Sequence, residues 1–257
     1  MPSNENNKLL KRPTNRDSKI WRYMDTEKYI YLLYYHSLFF IRSDRLSDTF
    51  EGSWAKADVE RRNKENDKIF KRGLNIPDEI LTKQKIDESK ILMNLRKNTF
   101  LNCWHMNENE SMAMWQVYGG LGKAISIQST YQRLHDSVTE DVTLGLVEYI
   151  DFDTESFFTE ERKAVSPFYF KRKPFDYENE LRASIQRHKW GVVDPNEVFD
   201  ESEIGIDLVI DLNKLIVRVV VSPNMPLWLF KMITSISPKF DCTFPIEKSK
   251  LDAAPIY

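Results

Sequence analysis

Short apolar or alternating runs are scattered from residue 20 to residue 221, with no regular succession of helices between them. "IWRYM" (20–24), "SLFFIR" (37–42), "TFLNCWH" (99–105), "KAISIQST" (123–130) and "VTLGLVEYIDF" (142–152) each read as a strand. They are short and rich in β-branched and aromatic residues. "GIDLVIDLNKLIVRVVVSP" (205–223) reads as two strands around a turn. The stretch 54–97 is instead densely charged and predicts two helices split near "GLNIP" (73–77). Strands without βαβ alternation predict an α+β class. The expectation is a single domain over 19–257 with a mixed or antiparallel central sheet, a helical insertion near 55–97 and a flexible lead-in over 1–18. That sheet should include 20–24, 99–105, 123–128 and 181–186. A doubly wound nucleotide fold is disfavoured, because the sequence has neither G-x-G-x-x-G nor a Walker loop.

Helix signals fill the gaps. Asp25 or Thr26 can cap a helix over 27–35. Asn107, with Glu110 three residues on, makes a capping-box-like start for a helix ended by Gly119 and Gly120. Ser111, Trp115 and Tyr118 then share one face, which should bring Trp115 and Tyr118 near Trp104. "SPFYFKRK" (166–173) and "PLWLFKMITSI" (226–236) also read as helical.

Of the 257 residues, 41% are hydrophobic and 30% charged, so the chain can build a core. A net charge of -2 leaves no global basic field for nonspecific nucleic-acid binding. The 2 cysteines and 4 histidines show no metal-site spacing, which argues against structural zinc and for a reducing compartment. No apolar run reaches the ~18 residues of a membrane span. The expectation is a soluble, cytoplasmic chain with no membrane partner.

The most informative stretch for chemistry is "KRKPFDYENELRASI" (171–185). On a strand, Glu178, Glu180 and Arg182 would line one face. Paired carboxylates suit glycosidic-bond cleavage: one opposes an oxocarbenium-like charge, the other takes a proton from the incoming nucleophile. Arg22, Tyr23, Ser126, Ser129 and Thr130, on or beside predicted strands, offer a cation and hydroxyls for phosphates and ribose. Trp104, Trp115 and Tyr118 could wall a pocket. Two other readings stand beside this one. In a binding module without turnover, Lys171, Arg172, Lys173 and Arg182 grip a nucleotide or RNA phosphate. In a nuclease, Asp44, Asp48 and Glu51 hold a metal. Cys103 and His105 read as strand core.

"WRYM", "LFFIRSDRLSDTFEG", "NCWHMNENESMAMWQVYG", "AISIQST", "VEYIDF", "KRKPFDYENELRA" and "VVVSPNMPLW", in that order, resemble the bacterial family called domain of unknown function 2971, which implies no activity. The pattern Arg22, "SIQST", "ENE" also resembles ADP-ribosyltransferases of the Arg-Ser-Glu type. That resemblance implies NAD as substrate, its phosphates held by Arg22 and the site braced by Ser126 or Ser129. It makes Glu180 the glutamate on the nicotinamide ribose and Glu178 the group that activates a protein or RNA acceptor, with no metal. "SIQST" departs from a clean Ser-Thr-Ser, and no acceptor-presenting loop is identifiable.

Overall fold

One strand, β3 (Thr99–Met106), organises the sheet. In the computed structural model, which describes residues 10–71, 78–157, 166–187 and 194–256, two strands share one edge of β3. β1 (Lys19–Asp25) lies beside His105 and Met106, and β2 (Ser37–Arg42) lies beside Phe100 and Leu101. The sheet therefore forks. Beyond β1 come β4 (Ala124–Thr130), β10 (Arg218–Val221) and β11 (Ile246–Lys248); beyond β2 comes β9 (Gly205–Val209). Along its other edge β3 pairs with β8 (Glu180–Gln186), which pairs with β5 (Thr143–Leu146). All pairings in this nine-stranded sheet are antiparallel except β10 with β11. The chain is a single α+β domain, and the four runs expected in the central sheet are all there.

Alternation along the strands sorts side chains onto two faces. One face carries Ile20, Phe100, Trp104, Ile125, Ile127, Leu181 and Val219. It is covered by α1 (Thr26–Tyr35), α5 (Tyr131–Ser137), α6 (Leu212–Leu215) and α7 (Leu227–Ile236), whose apolar residues complete the main core. The opposite face carries Trp21, Tyr23, Cys103, His105, Glu180 and Arg182. Here α4 (Met112–Tyr118) packs Met114 and Trp115 on Trp21 and Tyr23. Leu95 of α3 (Asp78–Lys97) meets Leu101 and Phe168. A parallel pair, β6 (Glu148–Ile150) with β7 (Phe170–Arg172), closes this side, and α2 (Lys56–Lys71) fills the other half of the insertion.

Several local expectations are corrected. Within the expected lead-in, residues 10–18 touch the rest of the chain: Leu10 is buried, and Arg16 O and Ser18 O accept from Gln132 N and Tyr131 N. Residues 1–9 and the expected helix break at 73–77 lie outside the described residues. The run 142–152 splits between two sheets. The run 166–173 is a 3-10 turn followed by β7, not a helix. Asp25 does cap α1, accepting from Lys28 N. The cap of α4 is Ser111, whose hydroxyl accepts from Met114 N; Glu110 instead accepts from Trp115 Nε1 at 3.1 Å. No helix among the described residues is long and apolar enough to cross a membrane.

Candidate active site

Glu178 does not stand on the strand. After β7 the chain enters a 3-10 turn over Lys173–Glu178, with Pro174 fixing its first residues. Asn179 follows at φ 39°, a left-handed conformation that asparagine tolerates better than most side chains. Strand β8 then begins at Glu180. The reversal carries Lys171 and both glutamates into one place. Two aromatic residues fix its backbone. His105 Nδ1 donates to Glu178 O at 2.6 Å, leaving Nε2 to accept from Asn107, and Tyr149 Oη accepts from Glu180 N at 2.9 Å.

The side chains form a buried charge cluster. Lys171 Nζ donates to Glu178 Oε2, to Glu180 Oε1 at 2.9 Å, and pairs with Glu51 Oε1 at 3.3 Å. Arg182 donates from Nε to Glu180, and its two Nη atoms form a fork on Glu51 at 2.7 and 2.8 Å. Arg182 Nη1 also reaches Phe168 O at 2.7 Å. Tyr118, at the end of α4, donates to Glu178 Oε1 at 2.9 Å. Glu178 is 3% exposed and Glu180 5%, whereas Tyr118 is 40% exposed. The pair thus lies just beneath a tyrosine that faces solvent.

Three carboxylates meet two cations here, so one acid retains its proton more readily than the others. Burial, then the hydrogen bond and charge of Glu180, push Glu178 up to about 7 against the pull of Lys171. Burial also opposes ionisation of Glu180, but Arg182, the hydrogen bond from Glu178 and Lys171 outweigh it and hold Glu180 well below the usual carboxylate range. Lys171 is likewise opposed by burial, yet Glu180 and Glu51 keep its ammonium charged. Burial holds His105 below its ordinary value, hence neutral, and raises Cys103 to about 12, so no thiolate nucleophile forms.

The other expected residues separate. Tyr23, Trp115 and Ser126 share the face of the glutamates. Tyr23 Oη accepts from Ser111 N, and its ring meets Trp115 edge-on at 4.8 Å, so both support α4. Ser126 Oγ is buried with no hydrogen-bond partner among the described residues. Trp104 lies on the opposite face, in the main core, so Trp115 packs on Tyr23 instead of on it. Ser129 also faces that core and donates to Leu215 O, while Thr130 caps α5. Arg172 projects from the far side of β7 to Asp48.

Arg22 leaves β1 towards the helix-covered face and donates to Phe39 O across the fork at 3.3 Å. Its Nη1 is buried without a hydrogen-bond partner among the described residues. Burial lowers it to about 10, with the Cys103 sulfur near enough to oppose that shift.

The basic residues do not form an outward patch, since Lys171 and Arg182 are buried among carboxylates. The acidic trio does not converge either. Asp44 pairs with Arg42, Asp48 with Arg172 and Glu51 with Arg182, and no candidate metal cluster occurs among the described residues. Sequence reasoning missed His105 and Tyr149 as supports and misassigned Glu51. Beside Glu51, Gly52 has φ 71°, and a Cβ there would sit 2.1 Å from the Phe168 ring. No family model, curated protein or solved structure matches the chain.

Proposed function

We propose that Glu178 and Glu180 are the reacting pair of an enzyme that cleaves the nicotinamide–ribose bond of NAD and passes the ADP-ribosyl group to an acceptor. The observation that carries this reading is the unequal pairing of two buried carboxyls in one shell: Glu180 meets both Lys171 and Arg182, whereas Glu178 meets Lys171 and the Tyr118 hydroxyl. Glycosidic chemistry of this kind asks for one permanently ionised acid and one that exchanges a proton near neutrality. As the C–N bond breaks, its electron pair leaves with nicotinamide, and ionised Glu180 opposes the positive charge left on the ribose. The acceptor's hydroxyl or amine attacks that carbon and gives its proton to Glu178. Arg22, which leaves β1 towards the helix-covered face and donates to Phe39 O, lies across the sheet from both glutamates and takes no part in this reading. Tyr118 must swing off Glu178 to admit the ribose.

Labelled NAD tests this reading, with free nicotinamide and transferred label measured separately. Glu180→Gln should abolish both. Glu178→Gln should lose transfer and keep part of the cleavage, since water can still attack. Arg22→Ala, across the sheet from the pair, should leave NAD cleavage unchanged. Because Glu178 must be ionised to accept a proton, transfer should rise with pH through about 7. A folded protein that neither binds nor cleaves NAD contradicts the proposal.

A further inference from the structure

Behind β7, on the side away from Lys171, a cleft of about 620 Å³ opens. That volume falls within the roughly 300–1,000 Å³ typical of small-molecule sites. Its flat surfaces are Phe50, Trp54 and Pro174; its charged groups are Lys56, Arg172, Lys173, Asp151 and Asp153. Arg172 lies over the Phe50 ring at 4.3 Å and is held by Asp48, which fixes a flat, positively charged shelf. Phe152 meets the Phe50 ring edge-on at 6.0 Å. Lys56 is exposed at the first turn of α2, where its backbone N donates to Phe152 O at 2.8 Å, so it stands beside exposed Asp153.

We infer that this cleft is a second site, distinct from the Glu178–Glu180 pair, which binds a nucleoside monophosphate. A base stacks on Phe50 opposite Arg172 and lies against Trp54, whose ring also carries the Arg62 guanidinium at 4.4 Å, because any base offers a π-face to an aromatic plane. Asp153 accepts from a ribose hydroxyl. Lys56 and Arg172 meet the phosphate. The inference does not rest on the NAD reading: it uses none of the buried carboxylates.

Calorimetric titration of the full chain with AMP, adenosine and inorganic phosphate separates the contributions. AMP should bind, with adenosine and phosphate each at least tenfold weaker. Phe50→Ala should weaken both AMP and adenosine at least tenfold. Lys56→Ala should weaken AMP at least fivefold and leave adenosine unchanged. Phe50 is 43% exposed, so its loss should leave the fold intact, which circular dichroism checks. No AMP binding overturns the inference, as does adenosine binding as tightly as AMP. AMP binding that survives both cleft variants but disappears in Arg22→Ala places the nucleotide at the fork and also overturns it. Loss of NAD cleavage with cleft binding of AMP intact would count against the acid–base reading alone.

Discussion

At Glu178 the sign of the pH dependence follows from its raised value. A carboxyl whose folded value lies above its unfolded one stabilises the fold fully below the unfolded value, and that contribution is lost as pH rises through the folded one. Glu178 should therefore make the protein less stable between pH 4.5 and about 7. Glu180, held low, works the other way: its contribution is present above the ordinary carboxylate range and is lost in acid. Chemical denaturation of wild type and Glu178→Gln between pH 5 and 8 should show the decline in the first and a flatter profile in the second. Glu51 gives a second prediction. It is the bidentate partner of a fully buried arginine, so Glu51→Ala strands the Arg182 charge and should cost roughly 3–5 kcal/mol in a urea titration. An effect near zero would mean that water or Glu180 replaces it.

Helix α4 links the fold to the site, because the same short helix supplies Trp115 to the core and Tyr118 to Glu178. Trp115→Ala should cost roughly 3–5 kcal/mol, as expected for a fully buried indole. Ser111→Ala, which removes the cap, should cost roughly 1 kcal/mol. Tyr118→Phe should leave stability nearly unchanged, since the ring stays, while shifting the pH at which Glu178 titrates. The core strands were legible because each is short, apolar and bounded by polar turns, as the run 99–105 illustrates. The run 166–173 misled because its aromatics look continuous, yet Pro167 limits the turn and the β6 partner draws 170–172 into a ladder. The glutamate pair was legible as a pair but not as a geometry. The E-x-E spacing suggested one strand face, whereas a left-handed Asn179 turns Glu178 back onto Lys171.

For the molecule as a whole, the forked sheet decides which residues can meet. β1 and β2 part along one edge of β3, and the backbone carbonyl exposed at the fork, Phe39 O, accepts from Asn102 and Arg22. Strand alternation then separates Ser129 and Trp104 from the glutamates, a separation that chain order alone conceals. It leaves one face for helices and hydrophobic packing and the other for a buried ionic cluster under α4. The central claim is that this cluster splits two neighbouring carboxyls into a fixed anion and a neutral-range proton acceptor. Carbon-13 NMR titration of the glutamate side-chain carboxyls, assigned with Glu178→Gln and Glu180→Gln, tests it most directly. Glu178 should titrate near pH 7 while Glu180 stays ionised down to acid unfolding; both titrating together in the ordinary carboxylate range, near 4.5, would contradict the account.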